Sequence, residues 1–132
     1  MKSAKLLIPL LVLSTQSVAS TTIYADSNTP LLNTKDSKII YLDTPNIIQQ
    51  QLFNDLSRDP KQAEQQVKSI IQSSDWQQKQ HQITQAYQGI LHAFALKLAK
   101  YLAVVFDDRY VVYGTTDVFL AEKYLTEFLE HQ

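Results

Sequence analysis

The chain has no cysteine and only two glycines and four prolines among its 132 residues. Without cysteine it can form no disulfide, no thiol redox centre and no cysteine-ligated zinc site. Glycine occurs only at Gly89 and Gly114, which excludes a glycine-rich phosphate-binding loop. Basic residues number 12 against 13 acidic ones, so the basic excess typical of a nucleic-acid surface is missing. The hydrophobic content of 45% is enough for one packed core.

The first residues have the order of a secretion signal. Lys2 and Lys5 precede an apolar run at residues 6–13, and small residues follow at the positions that a signal peptidase reads, ending at Ala19. The apolar run is far shorter than the roughly 20 residues that span a bilayer. We therefore expect residues 1–19 to be a cleaved signal peptide. An uncleaved anchor and a cytosolic protein with an unusual start are the alternatives.

Residues 20–132 are expected to form a single α/β domain. Hydrophobic patterning predicts strands at 23–25, 38–42, 103–106 and 110–113, and helices at 44–56, 59–71, 74–98 and 115–128. Thr44-Pro45 and Asp59-Pro60 are typical helix starts, and Gln62 completes a predicted capping box.

The first predicted helix has one apolar edge, formed by Ile48, Leu52 and Leu56, and the other three carry apolar stripes that we expect to face the core. On the second helix the stripe is Ala63, Val67, Ile70 and Ile71. On the third and longest helix it lies within an arc of roughly 100° and comprises Trp76, Ile83, Tyr87, Ile90, Leu91, Phe94 and Leu98. On the last helix it comprises Leu120, Ala121, Tyr124, Leu125 and Phe128.

The order of these elements predicts the sheet. The apolar strands at 38–42 and 103–106 are separated by helices and should run parallel, and the terminal hairpin should add an antiparallel edge. A mixed four-stranded sheet with flanking helices resembles the architecture of a thioredoxin-like domain. Redox members of that fold carry Cys-x-x-Cys where the first strand meets the first helix. Here that junction is predicted at residues 26–30, which contain no thiol, so disulfide exchange is excluded.

Few residues suggest catalysis. His81 and His92 share one face of the third helix but are about 16 Å apart along its axis, too far for one metal ion. They lie opposite the apolar stripe, so we expect them to be solvated, and His131 belongs to a fraying terminus. Asp107 and Asp108 suit a charged hairpin turn. A hydrolase that uses these two carboxylates and one histidine is an alternative.

The segment around the predicted hairpin has a distinctive sequence. Residues 103–118 read Ala-Val-Val-Phe-Asp-Asp-Arg-Tyr-Val-Val-Tyr-Gly-Thr-Thr-Asp-Val. This run resembles the C-terminal signature of the DUF1525 family, small exported proteins encoded in integrating conjugative elements. The similarity extends upstream to Tyr41-Leu42-Asp43, residues 52–63, Trp76-Gln77 and residues 85–89.

The resemblance implies a thioredoxin-like fold and a role in the type IV secretion apparatus that moves element DNA between bacteria. It implies no enzymatic activity and no cofactor. One position departs from the family pattern, because Leu102 stands where family members usually carry proline. That proline is commonly cis in thioredoxin folds, whereas a cis bond before another residue costs about 3 kcal/mol. We therefore expect a trans peptide at Leu102 and an altered loop.

Together these features predict a periplasmic, non-catalytic component of a conjugative transfer system. Its expected partners are other conjugation apparatus proteins, with no direct contact to nucleic acid and no stable membrane insertion after signal cleavage. The expected contact residues are Asp107, Arg109, Tyr110 and Tyr113, because an edge hairpin exposes one set of alternating side chains. Packing of both tyrosines on the last helix is the alternative. A periplasmic chaperone or small-ligand binder, with an apolar pocket near Asp26 and Leu102, is the second functional candidate.

Overall fold

The computed structural model describes residues 20–132, and the predicted signal peptide lies outside this range. The described part is an α/β domain with four strands and four helices. The strands are β1 (Thr21–Ala25), β2 (Ser37–Tyr41), β3 (Ala103–Phe106) and β4 (Tyr110–Tyr113). The helices are α1 (Thr44–Phe53), α2 (Pro60–Ile71), α3 (Trp76–Ala95) and α4 (Val118–Glu130). None of these helices is long and apolar enough to cross a bilayer.

The four strands form one mixed sheet in the order β2-β1-β3-β4. β1 pairs in parallel with β2, and it pairs antiparallel with β3. β3 and β4 form the predicted antiparallel hairpin. The prediction that β2 and β3 run parallel was wrong, because β1 lies between them and β3 runs opposite to both. The parallel pair is β1–β2 instead, and a loop at residues 26–36 connects it.

The core lies on both faces of the two central strands. On one face Ile23, Val104 and Phe106 pack against Val118 and Ala121 of α4. On the other face Tyr24 and Val105 pack against Ala93 of α3. β2 was expected to be a buried strand, but it lies at the sheet edge, and only Ser37 and Ile40 are partly covered.

The third helix has the predicted position but not the predicted orientation. It packs on the sheet through small residues, Gly89 and Ala93, and a Cβ atom at Gly89 would lie only 2.7 Å from Ile40 Cγ2. Leu91 and Phe94 point away and are 64% and 82% exposed. The prediction that the whole apolar stripe faces the core was therefore wrong, because the small residues allow a closer approach of the helix to the sheet.

The other predicted stripes are also only partly buried. In α4 the expected inward residues Leu120, Tyr124 and Phe128 are exposed, while Val118 and Ala121 make the sheet contact. In α2 no residue is fully buried, and Ile71 is exposed. The prediction was correct for Ala121 and Leu125, which pack on the α4-side core together with Val118.

The two predicted proline helix starts differ in their caps. Asp59 caps α2 as expected, accepting hydrogen bonds from the backbone N–H groups of Lys61 and Gln62. The predicted capping box does not form, because the side-chain oxygen of Gln62 accepts a hydrogen bond from the Ser57 hydroxyl instead. α1 begins at Thr44, after Asp43 rather than with Thr44 as the cap, and it ends at Phe53 rather than Leu56.

Candidate functional site

Three of the four predicted contact residues, Asp107, Arg109 and Tyr110, lie at the β3–β4 turn, and Tyr113 lies at the other end of β4. Asp107 and Asp108 both have positive φ, and the Arg109 N–H donates to the Phe106 carbonyl at 3.0 Å. Positive φ at both central residues matches the right-handed twist of a hairpin, and aspartate tolerates it better than most residues. The Asp107 carboxylate accepts a hydrogen bond from the Ser20 N–H at 2.9 Å, and the Asp107 N–H donates to the Ser20 carbonyl at 2.8 Å. The Asp107 side chain thus anchors the start of β1.

The two tyrosines of β4 lie on opposite faces of the sheet, because they are three residues apart in a strand. Tyr110 is half-buried against the core under α4, and the Arg109 guanidinium lies 5.2 Å from the centre of its ring. Tyr113 lies on the α3 side, where its hydroxyl accepts the Ala99 N–H at 3.0 Å. The structure therefore brings Arg109 and Tyr110 together and separates them from Tyr113.

A polar cluster that the sequence did not predict lies between α3 and this turn. His92 Nε2 is 3.3 Å from Asp108 Oδ1, and the His92 ring centre is 6.3 Å from that of Tyr24. Tyr24 is fully buried, and its hydroxyl has no hydrogen-bond partner within residues 20–132. Burial raises the pKa of Tyr24 above its ordinary 10.0, and the Asp108 carboxylate adds to the effect.

This cluster brings together one histidine and one of the two carboxylates suggested for a hydrolase, Asp108 but not Asp107. The Asp108 carboxylate can orient the His92 imidazole, and the contact between them joins α3 to the hairpin turn. His92 was expected to be solvated on the face opposite the apolar stripe. His92 is exposed, as expected, and its ring also reaches Asp108 of the turn. His81, eleven residues earlier, stays exposed.

The junction expected at residues 26–30 is not the start of a helix. The loop after β1 is attached to the segment before α4, where the Thr116 hydroxyl donates to the Pro30 carbonyl at 2.8 Å and the Asn33 amide donates to Asp117 at 2.7 Å. The amide lowers the pKa of the Asp117 carboxyl below its ordinary value of 3.8. These contacts fix the loop between β1 and β2 to the segment before α4.

Leu102 lies at the same end of the sheet, immediately before β3. Its φ is +63°, in the left-handed region that leucine rarely adopts, and its carbonyl accepts the Gly114 N–H at 3.3 Å. The peptide bonds of residues 20–132 include no cis bond. Leu102 packs against the α4-side core, so the loop is held by a partly buried side chain.

A cleft of about 760 Å³ opens between β2, α1 and α3. Its floor is the edge strand, and one wall is a row of glutamines on α3, with His92 at one margin. The amides of the row project at intervals of three residues. The lining residues are Lys38, Ile39, Ile40, Tyr41, Thr44, Ile48, Gln82, Gln85, Ala86, Gln88, Gly89 and His92. The residues 26–30 and Leu102, where an apolar pocket was expected, are not among them.

Within residues 20–132, no group of three or more histidine, cysteine, aspartate or glutamate residues is placed to hold a metal ion. A search of curated proteins and a search of solved structures found no significant match. A family model described as "Protein of unknown function (DUF1525)" matches residues 18–130. This match covers nearly the whole described chain, including β1, the hairpin and α4. The chain therefore belongs to the DUF1525 family.

Proposed function

We propose that this protein is a periplasmic, non-catalytic component of the transfer apparatus of an integrating conjugative element, a type IV secretion system, and that it acts by binding other proteins. The observation that carries the proposal is the family match over residues 18–130, joined to the conjugative-element association that the resemblance implies. The signal-like order of residues 1–19 supports export. The lack of any cysteine supports a role without thiol chemistry.

We also propose that the domain is thioredoxin-like. The support is a mixed sheet in which a parallel pair, β1 and β2, is followed by an antiparallel terminal hairpin and a last helix. The loop at residues 26–36 departs from that fold, in which a helix usually joins the first two strands. Hydrogen bonds between this loop and both Thr116 and Asp117 hold the connection from β1 to β2 in place without that helix.

Arg109 and Tyr110 are the best-placed contact residues on the hairpin. Arg109 is exposed at the tip, and the stacked tyrosine ring limits the number of conformations that its side chain adopts. Arginine and tyrosine are the residue types that contribute most at protein interfaces. Asp107 and Tyr113 have structural partners, Ser20 and the Ala99 N–H, so we assign them to shaping the hairpin.

The test is the conjugation frequency of an element whose copy of this gene is deleted in frame. We expect the frequency to fall, to recover with the full chain, and to stay low with a chain that lacks residues 2–19. Arg109→Ala should reduce complementation, whereas Arg58→Ala, which changes the other arginine of the chain at an exposed site, should not. An unchanged frequency on deletion would overturn the proposal.

A second candidate is a chaperone or small-ligand-binding protein of the same compartment. The cleft between β2, α1 and α3 favours it, since a concave site of this volume can hold a small molecule or a peptide. A thermal shift of the purified chain with a defined ligand and without a partner protein would support this candidate. Normal conjugation by the deletion strain would support it further.

A further inference from the structure

The free edge of β2 offers backbone groups that can pair with another strand. The Leu42 N–H donates to the Ala25 carbonyl at 2.9 Å, so it points toward β1. Backbone groups alternate in direction along a strand. The Ile40 groups therefore also face β1, and those of Ile39 and Tyr41 face outward. Since β2 ends the described sheet, these outward groups meet the cleft.

The two sides of this edge differ in chemistry. Side chains alternate along a strand, so Lys38 and Ile40 lie on the α3 side, and Ile39 and Tyr41 lie on the α4 side. Both Ile39 and Tyr41 are 36% exposed, because α4 packs on the central strands and leaves the edge uncovered. An added strand would thus meet apolar side chains on one of its faces and a polar wall on the other.

The charges that line the cleft determine which kind of ligand side chain it attracts. Lys38 is exposed. Lys38 and His92 are the two basic residues among those that line the cleft. No aspartate or glutamate lines it. Opposite Lys38, the row formed by Gln82, Gln85 and Gln88 supplies amide donors and acceptors. A carboxylate-bearing segment would gain attraction from Lys38 and would meet no lining carboxylate.

We propose that the β2 edge binds an extended segment of another protein in which acidic and apolar side chains alternate. The segment adds a fifth strand to the sheet, hydrogen-bonding to the outward groups of Ile39 and Tyr41. Its acidic side chains face Lys38 and the glutamine row, and its apolar side chains cover Ile39 and Tyr41. This inference rests on the proposed function, because it names a surface and a partner chemistry for a protein that acts through protein contacts.

The first test uses three blocked synthetic peptides with the full exported chain, residues 20–132. The peptides are Glu-Val-Glu-Val-Glu-Val-Glu, its lysine-for-glutamate counterpart, and a rearranged form, Glu-Glu-Val-Val-Val-Glu-Glu. We expect only the first to bind and to slow hydrogen exchange at the Ile39 and Tyr41 N–H groups. The Ile40 N–H, which faces β1, should change little. Equal binding of the lysine peptide or of the rearranged peptide would overturn the proposal.

Substitutions on the edge provide the second test. Ile39→Pro removes an outward N–H and should abolish binding while sparing the pairing with β1, since proline is tolerated on edge strands. Ile39→Val keeps the N–H and is the matched control. Lys38→Glu should weaken binding of the acidic peptide by about tenfold or more, because repulsion replaces attraction. Lys35→Glu, outside the cleft lining, should not.

The other possible outcomes also bear on the proposed binding at the β2 edge. If circular dichroism shows that Ile39→Pro perturbs the fold, the hydrogen-exchange data and the binding of peptide by Lys38→Glu still test the proposal. Concentration-dependent dimerisation with protection of the same N–H groups would identify a second copy as the occupant and overturn the acidic-segment assignment. Absence of peptide binding, together with loss of conjugation on deletion, would reject this inference and leave the proposed function standing. Peptide binding with normal conjugation on deletion would reject the proposed function alone.

Discussion

At the scale of single residues, the glycine of α3 has the clearest structural role. Glycine in a helix costs about 1 kcal/mol relative to alanine. Gly89 is retained at the point where α3 meets the edge strand, and a methyl group there would lie 2.7 Å from Ile40 Cγ2. The sequence shows only that Gly89 interrupts the pattern of the longest helix. Its neighbour, the side chain of Ile40, became known only from the packing of α3 on β2.

We expect Gly89→Ala to lower the free energy of unfolding by up to about 2 kcal/mol. The steric cost of overpacking, about 1–3 kcal/mol, exceeds the gain in helix propensity. Urea unfolding would measure the change, and Gln88→Ala at an exposed neighbouring position serves as the control. In an Ile40→Ala background the same glycine substitution should be neutral or stabilising. A destabilisation of equal size in that background would contradict the contact.

A second residue-scale prediction concerns acid stability. The Asn33 amide holds the pKa of Asp117 below 3.8, its ordinary value, so the folded state binds this proton less readily than the unfolded chain. The stabilisation from this contact is therefore present above the unfolded-state pKa and is lost as the pH falls through the lower, folded-state pKa. The contact pins the loop after β1 to α4.

We expect wild type to lose more stability than Asp117→Asn when the pH is lowered from neutral to below about 4. Asparagine keeps the helix-capping acceptor for the Phe119 N–H, so the comparison isolates the charge. Asn33→Ala should flatten the acid limb to a similar extent, and the double variant should add little. Urea titrations across this pH range would show it. Parallel pH profiles for wild type and both variants would contradict the prediction.

At the scale of elements, the helices show where periodicity stops being informative. The 3.6-residue pattern correctly indicated that α3 and α4 are helices. It made the contact face too wide, because the predicted stripes include large residues that lie outside the contact. Ala93 rather than the predicted stripe makes the buried contact of α3, and in α4 only Ala121 and Leu125 of the predicted stripe pack on the core, beside Val118. Helix orientation therefore depended on close packing, which is a property of both partners.

The orientation of α3 can be tested by substitution. Phe94→Gln should change the free energy of unfolding by no more than about 0.5 kcal/mol, because the side chain is 82% exposed. If the whole apolar stripe faced the core, removal of this ring would cost about 3–5 kcal/mol. Ala93→Gln is the matched comparison and should be strongly destabilising, since it places an amide in the buried contact. Chemical denaturation of both variants measures the difference.

At the scale of the whole molecule, stability is concentrated in the central strands. β1 and β3 contribute residues that are fully buried, whereas α2 contributes none. Hydrogen bonds that are covered by the core open only with global unfolding, and those on a weakly packed helix open locally. The β2 edge and the hairpin tip lie away from this core, so both can bind partners without disturbing it.

Native-state hydrogen exchange should report this division. We expect the slowest amides in β1 and β3, at Tyr24 and Val104 among others, with opening free energies equal to the global value. Amides of α2 should exchange through smaller openings that depend weakly on denaturant. Similar opening free energies for α2 and for the central strands would show that the domain unfolds as one cooperative unit.

The sequence by itself determined the kinds of elements and most of their places along the chain, the hairpin with its aspartate turn, and the exclusion of thiol chemistry. These properties depend on local periodicity, turn residues and composition, which the chain carries residue by residue. Only the tertiary structure decided that β1 lies between β2 and β3, that α3 rests on glycine and alanine, and that Tyr24, His92 and Asp108 come together. Those features depend on the fit between segments far apart in the chain, and single-segment patterns contain no information about that fit.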